Sequence, residues 1–334
     1  MKSRPSLTAI GRELNVSVAA VSNALSGKGR MSQELLDKII NYSTKLAYRP
    51  NVNANRLRDG KSNQILFGAL VEENSLFDVN HAFLIHYLVN YLMKHGYDLV
   101  VHPLYRTTES RQHFLDKILS RAADGVILQM DATLEPELVS QLSRMKTPAV
   151  IFDSSSDAVS TTEVSLVTSS FVNAFKEAFT ALSFADDTPV YYFDNNWSKY
   201  DSTYRDFLLA CGKRTNHLYD ASSYNATLKS VEKLVAEPVR PFGLMVRQNY
   251  SFSWCLRALD RFQLKPGRDL HLMLCNFGKQ DLFYEGVPMA LIMDSYDDIA
   301  QKITEMLINQ LSDSGNAPVS YIYPAKMVIF KENS

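Results

Sequence analysis

Residues 6–26 read SLTAIGRELNVSVAAVSNALS, and their pattern decides how the N-terminal part of the chain folds. Ser6 can cap a first helix that runs through Asn15, because apolar residues recur there at three- and four-residue spacing. Asparagine tolerates the left-handed backbone of a tight turn. Ser17 then stands where an N-cap belongs, so a second helix is predicted over residues 18–25. The stretch therefore predicts two short helices joined by a tight turn.

A third apolar run follows this pair. Residues 32–46 place leucines and isoleucines on a stripe that can cover the first two helices. Two short helices and a packing helix make a helix-turn-helix unit, which we expect over residues 1–49. Residues 50–62 begin with a proline and are rich in Asn and Arg, which is typical of a linker.

The charge of the chain is divided unevenly. Residues 1–62 carry eleven Lys and Arg against four Asp and Glu, a net charge of +7; the whole chain carries −1, which leaves −8 for the remainder. A basic segment joined to an acidic body favours a polyanion as the partner of the N-terminal unit. The alternative is a solvated basic tail, but the helical periodicity of this segment is not typical of a tail.

The composition is that of a globular protein, with 46% hydrophobic and 21% charged residues. The three cysteines are far apart and lack metal-ligand spacing, so we expect neither a disulfide framework nor a zinc site. The sequence has no run of 18 apolar residues and no signal-peptide pattern. We therefore expect a protein of the reducing cytoplasm that uses no metal and no cofactor.

From residue 65 onward, apolar runs typical of buried strands alternate with amphipathic helical segments. The runs are 65–71, 98–103, 125–130, 149–153, 190–193, 242–246 and 270–277. This alternation predicts βαβ units, and hence an α/β body of two doubly wound parallel-sheet subdomains with a cleft between them. We expect one subdomain over residues 63–162 plus 294–322 and the other over 163–293 plus 323–334.

These residues carry a family resemblance. Residues 6–26, followed by Met31-Ser32 and by LAYRPNVNANRL at 46–57, closely resemble the headpiece and hinge of the lactose-repressor/galactose-repressor family of bacterial transcription regulators. The body is similar to the family's effector domain at ADGVIL (123–128), TPAVIFD (147–153) and YPAKMVI (323–329). Order and spacing match over the first sixty residues, the body resembles the family more loosely, and the likeness covers essentially the whole chain.

The resemblance implies a repressor with a DNA-binding headpiece and a periplasmic-binding-protein-like body. It implies a homodimer, because one headpiece covers one half-site and two-fold pairing matches a palindromic operator. It further implies that a small molecule, commonly a sugar or sugar derivative, binds the cleft and changes operator affinity. Such a protein would associate with the nucleoid when bound to DNA.

The second helix of such a headpiece enters the major groove with its N-terminal residues toward the bases. Val18 and Ala19 stand there and can make only apolar contacts, for instance with thymine methyl groups, whereas Asn23 can bond adenine or a phosphate. The alternative for Val18 and Ala19 is packing against the first helix. Six residues match family positions that hold phosphates: Ser6, Ser17, Ser22, Ser32, Tyr48 and Asn51. For any single serine, a role as N-cap alone is the alternative.

The resemblance also assigns a role to the linker. It implies that residues 51–58 become a helix when two subunits occupy one operator. Leu57 would then wedge between base pairs in the minor groove and kink the duplex. Asn55 would meet the groove edge or phosphates. The alternative is a solvated linker face.

Five residues form the candidate effector site. Asp153 ends a predicted strand and matches a carboxylate that accepts hydrogen bonds from ligand hydroxyls. Gln248 and Asn249 match an Asn-Asp pair of the family. Two positions depart from the family pattern, since Tyr200 replaces an arginine and Asn276 lies in an altered Gly-Phe-Asp motif. We expect a sugar, a sugar acid or a sugar phosphate as the ligand.

Two other functions stay open. The departures from the family's cleft pattern are also consistent with a DNA-binding protein whose body only dimerises and has lost its effector. An α/β enzyme is the third alternative, but the sequence has no Gly-rich dinucleotide fingerprint, no GxSxG elbow and no HExxH motif. We therefore expect a regulator that is not an enzyme.

Overall fold

A computed structural model describes residues 5–27, 31–48, 60–71, 79–105, 107–130, 136–153, 163–185, 188–194, 218–236, 240–247, 249–277, 287–312 and 317–330. The contacts between residues divide the chain into two compact units, residues 1–62 and residues 63–334.

The described part of the first unit contains three helices, α1 (Leu7–Glu13), α2 (Val18–Leu25) and α3 (Gln33–Lys45). They pack around four buried side chains: Ile10, Val21, Ala24 and Ile39. Each helix contributes from one face only, because apolar residues at three- and four-residue spacing share a side of a helix. The three helices are the ones that the periodicity predicts, and α1 ends two residues earlier than expected.

The turn between α1 and α2 depends on two residues. Asn15 has a φ of 53°, the left-handed conformation expected of the asparagine at this position. The N–H of Val16 donates to the carbonyl oxygen of Gly11 at 2.8 Å, which closes the turn. A Cβ atom on Gly11 would lie 2.7 Å from the carbonyl oxygen of Val16. The close approach of the two backbone segments therefore requires glycine.

The second unit is an α/β body. In chain order its elements are β1 (Gln64–Val71), α4 (Val79–Lys94), β2 (Asp98–Tyr105), α5 (Thr108–Leu119), β3 (Gly125–Gln129), α6 (Pro136–Met145), β4 (Ala149–Asp153), β5 (Ser165–Ser170), α7 (Val172–Ala181), β6 (Val190–Asp194), β7 (Leu218–Asp220), α8 (Tyr224–Val235), β8 (Phe242–Arg247), α9 (Asn249–Arg261), β9 (Leu270–Phe277), β10 (Met289–Asp294), α10 (Tyr296–Ser312), β11 (Ser320–Pro324) and β12 (Lys326–Phe330). None of the helices in the described part of the chain has the length and apolar character needed to cross a lipid bilayer.

The strands form two six-stranded sheets. Sheet 1 has the order β11-β5-β4-β3-β1-β2 and is parallel throughout. Sheet 2 has the order β12-β10-β9-β8-β6-β7 and is parallel except for β12, which runs antiparallel to β10. The prediction of two parallel-sheet α/β subdomains is confirmed, and the antiparallel edge strand is an addition to it.

Side chains on the two faces of a strand enter different apolar clusters. On β1, Ile65 and Phe67 enter one apolar cluster and Leu66 enters another, because successive side chains of a strand point to opposite faces. On sheet 2, Tyr192 and Met245 belong to the same cluster as Ile65. One apolar cluster therefore contains buried residues of both sheets.

In the order of the described strands the chain passes between the sheets three times, at Phe171, Ser295 and Ala325. The expected boundary at residue 163 is wrong, because β5 at 165–170 lies in sheet 1 between β4 and β11. Helix α7 packs on β10 and β12 of sheet 2, so the second subdomain begins there. The sequence SLVTSS of β5 has too few apolar residues to register as a strand, although its Ser165, Thr168 and Ser169 are buried.

Candidate functional site

Three serines cap the helices of the first unit. In each case the serine hydroxyl oxygen accepts a hydrogen bond from the backbone N–H three residues later in the chain. The N···O distances are 3.2 Å for Ser6, 3.1 Å for Ser17 and 3.4 Å for Ser32. A capping oxygen uses a lone pair, which leaves the hydroxyl hydrogen free to donate. The capping role is therefore compatible with donation to an anionic oxygen of a ligand.

One face of α2 is exposed. Val18 has 43% of its surface accessible, and Ala19 and Asn23 are also exposed. Val21 and Ala24, on the opposite side of the helix, are buried. The exposure of Val18 and Ala19 disfavours the alternative in which both residues are buried against the first helix.

The electrostatics of this face favour an anionic partner. Helix α2 has no charged residue, and neither α1 nor α2 has an acidic residue in its first turn. The positive end of each helix dipole is therefore not neutralised by a side chain. The cap Ser17 stands at that end of α2, next to the exposed Val18. Oriented N–H groups at a helix N-terminus suit a phosphate.

The remaining residues of the candidate DNA surface lie in different places. Ser22 and Tyr48 are half-buried, and burial raises the pKa of Tyr48, so that its hydroxyl stays protonated at neutral pH. Asn51, Asn55 and Leu57 lie outside the described residues.

Three of the candidate effector residues lie at or next to the carboxyl ends of strands. Asp153 is the last residue of β4, Asn276 is the last but one of β9, and Asn249 begins α9 two residues after β8 ends. These are the positions at which parallel α/β sheets build ligand sites. Tyr200 and Gln248 lie outside the described residues. Within the described ranges, no group of three or more His, Cys, Asp or Glu side chains could hold a metal ion.

No protein-family model matches the chain. Over 246 residues the chain is 22% identical to catabolite control protein A of Priestia megaterium, a match that covers 71% of this chain and 72% of that protein. The crystal structure of the Lac repressor dimer bound to operator and the anti-inducer ONPF matches 98% of both chains, with a TM-score of 0.76 and 14% identity. In sequence and in fold the chain is therefore similar to regulators of the lactose-repressor/galactose-repressor family. The transcriptional regulator CelR in its complex with cellobiose has a similar fold. The match covers 99% of this chain and 100% of the CelR chain, with a TM-score of 0.63 and 16% identity.

One residue that matters for the exposed face of α2 belongs to none of the sequence motifs described above. Gly11 sets the separation of α1 and α2 and so the position of the exposed face of α2. A glycine inside an otherwise helical run is the sequence signal that could have identified it.

Proposed function

We propose that the chain is a sequence-specific DNA-binding transcription regulator, a repressor that binds a palindromic operator as a homodimer. The observation that carries the proposal is the exposed face of α2, with Ser17 and Val18 at its N-terminal end, on a unit whose net charge is +7. The similarity to the Lac repressor dimer on its operator and to catabolite control protein A supports the same function.

The proposed readout combines apolar and polar contacts. Val18 and Ala19 would pack against thymine methyl groups in the major groove, and Asn23 would supply the polar base contact. The capping serines and Tyr48 would donate to phosphates, which fixes the register of the headpiece without reading sequence. Asn51 and Asn55 would add contacts from the linker.

The test of the proposed function is a selection from a random-sequence duplex library with the purified full chain. We expect an enriched palindrome, bound with an affinity that falls steeply with salt because the contacts to phosphates release counterions. A chain that enriches no sequence, or enriches only single unpaired half-sites, contradicts the proposal.

Asn23→Ala is expected to relax the preference at one base pair in each half-site. Loss of a good bidentate contact reduces discrimination against a wrong base by about 1–3 kcal/mol, and the comparison of affinities for all four bases at each position measures it. The matched control is Asn41→Ala, since Asn41 is an exposed asparagine on α3. A uniform loss of affinity over all sequences would instead make Asn23 a phosphate contact.

We further propose that a sugar or sugar derivative in the cleft between the subdomains controls DNA binding. Asp153, Tyr200, Gln248, Asn249 and Asn276 are the residues proposed to contact it. The cellobiose complex of CelR supports a sugar as the ligand class. A thermal-shift screen of the full chain against sugars, sugar acids, sugar phosphates and nucleosides tests the proposal, because a ligand that binds only the folded state raises the melting temperature. If no compound raises it, a body that serves dimerisation alone is favoured instead.

Asp153→Ala is expected to weaken the response to the compound found in that screen. A hydrogen bond to a charged group contributes about 1.5–3 kcal/mol, so the dose-response curve for operator release should move by about 10- to 100-fold. Asp260→Ala, at an exposed aspartate of α9, is the matched control. An unchanged curve for Asp153→Ala removes this carboxylate from the site.

A further inference from the structure

Asp294 is a fully buried carboxylic acid at a point where the chain passes from one sheet to the other. It is the last residue of β10 in sheet 2, and the next helix, α10, packs on β3, β4 and β5 of sheet 1. Its exposed fraction is 0%. None of the sequence arguments assigns it a role, and it is not part of the proposed DNA surface.

The three passages between the sheets lie together around this residue. Ser169, just before the first passage, lies beside the Asp294 carboxyl. The N–H of Ala325, at the third passage, donates to the carbonyl oxygen of Ser170 at 2.8 Å. We name these three segments, residues 169–171, 294–296 and 323–326, the crossing region. Any change in the angle between the two subdomains must be absorbed in the crossing region, since it contains all three connections between the sheets.

The surroundings of Asp294 suit a neutral acid. Among the described residues, neither carboxyl oxygen of Asp294 nor the hydroxyl oxygen of Ser169 has a partner at good hydrogen-bond geometry, although the two side chains lie beside each other. The apolar cluster shared by both sheets includes Phe171, Tyr296 and Tyr323, which places aromatic rings on all three segments of the crossing region. An ionised carboxylate without partners in such a place is strongly disfavoured.

The charged groups nearby are engaged elsewhere. On α10, Asp297 accepts from Tyr91 at 2.7 Å, and Asp298 accepts from Tyr323 at 3.0 Å and from Lys326 at 2.8 Å. Burial raises the pKa of Asp294 to about 7, and the Ser169 hydroxyl acts in the opposite direction to a smaller extent. Burial also raises the pKa of Tyr323, so its hydroxyl is neutral at this pH, and the Lys326 ammonium of the same segment is held by Asp298.

We propose that the protonation state of Asp294 controls the crossing region, and we call this device a proton-dependent lock. The neutral acid fits the packing seen in this structure, whereas the ionised carboxylate favours an arrangement of the subdomains that admits water. The proposal does not rest on the DNA-binding function. It makes the equilibrium between subdomain arrangements depend on pH near neutrality.

The direction of the effect follows from proton linkage. An aspartate in the unfolded chain ionises near its model value of 3.8, whereas Asp294 in the native packing stays protonated to about pH 7. Between these values the native state binds one proton more than the unfolded state, so stability falls as pH rises. The unfolding equilibrium constant should rise by up to about tenfold per pH unit from this one group and level off above about pH 7.

The first test is urea unfolding of the full chain and its Asp294→Asn variant at pH 5.0 and 6.5. The ratio of wild-type to variant unfolding constants should rise by about 20-fold over this interval, because the variant cannot ionise. Asp298→Asn is the matched control, since the Lys326 ammonium lowers the pKa of Asp298 and this carboxyl is ionised in both states above pH 5. The corresponding ratio for Asp298→Asn should stay within about threefold. A ratio for Asp294→Asn that also stays within threefold overturns the proposal.

The second test distinguishes a local effect of Asp294 on the crossing region from a decrease in the global stability of the chain. Hydrogen exchange of the peptides that cover 165–171 and 320–326, corrected for the intrinsic rate, should speed up about tenfold in the wild type between pH 6 and 8, and should not in Asp294→Asn. The peptide over 242–247, in the middle of sheet 2, is the internal control. Equal acceleration of all three peptides would show global unfolding only, and would overturn the lock. Asp294→Ala repeats both measurements in case the buried amide of the Asn variant disturbs packing.

Discussion

Substituting Gly11 with alanine is expected to weaken operator binding by about 30-fold or more while leaving the body folded. The added Cβ would lie 2.7 Å from the carbonyl oxygen of Val16, which is a backbone atom and cannot rotate away. The turn must therefore widen, and α2 must move relative to α1. Overpacking costs about 1–3 kcal/mol per site. Two headpieces on one operator then lose at least about 2 kcal/mol, which corresponds to about 30-fold in affinity.

An overpacking cost of about 1–3 kcal/mol is large relative to the total stability of the small first unit. At about 0.05–0.15 kcal/mol per residue, a unit of about 45 residues holds roughly 2–7 kcal/mol of stability in total. Fluorescence anisotropy with labelled operator measures the loss of affinity, and the thermal transition of the body shows that the rest of the chain is unaffected. Thr8→Ala, at an exposed position of the same helix, is the control. Wild-type affinity in Gly11→Ala would show that the turn adjusts without moving α2.

The first unit shows how far local sequence determines local structure. Asn15 was expected in the left-handed conformation and has it, and Ser17 was expected to cap α2 and does. Both predictions rest on interactions within three or four residues, which sequence order alone brings together. Sequence alone does not determine the exposure of Val18, because this exposure depends on how α2 packs against its neighbours.

The body shows where such arguments fail. The seven apolar runs are strands, since continuous apolar sequence is typical of strands that are buried on both faces. Strand β5 lacks that signal, and only its position between β4 and β11 explains why its serines and threonine are buried. Asp294 was missed for the same reason. Its burial arises from three segments that are more than 25 residues apart in the chain.

The candidate DNA and effector residues stay predictions. They rest on a family resemblance in the sequence, and the fold places Asp153, Asn249 and Asn276 at or next to strand ends where a ligand site is expected. The identity of the ligand depends on side chains that converge from several loops, and the spacing of residues within any one loop does not encode it.

Replacing Leu57 with alanine is expected to reduce affinity for the operator by about 10- to 100-fold and to change affinity for random duplex DNA by less than about twofold. An apolar wedge between base pairs stabilises a kinked duplex that contacts more protein surface, at an unstacking cost of a few kcal/mol. Alanine is too short to fill the opened step, so the kink and its added contacts are lost. Non-specific binding depends on basic side chains and phosphates, which the substitution leaves in place.

The control for Leu57→Ala is a leucine that does not lie on the proposed DNA surface. Leu119→Ala is that control, because Leu119 lies on α5 of the body with 63% of its surface exposed. Gel mobility and anisotropy measurements at matched salt give both affinities, and the bend angle of the operator in each complex reports the kink directly. Equal losses of affinity on operator and random DNA would make Leu57 a general contact of the linker. An unchanged bend angle in Leu57→Ala would assign the kink, if the operator has one, to another part of the complex.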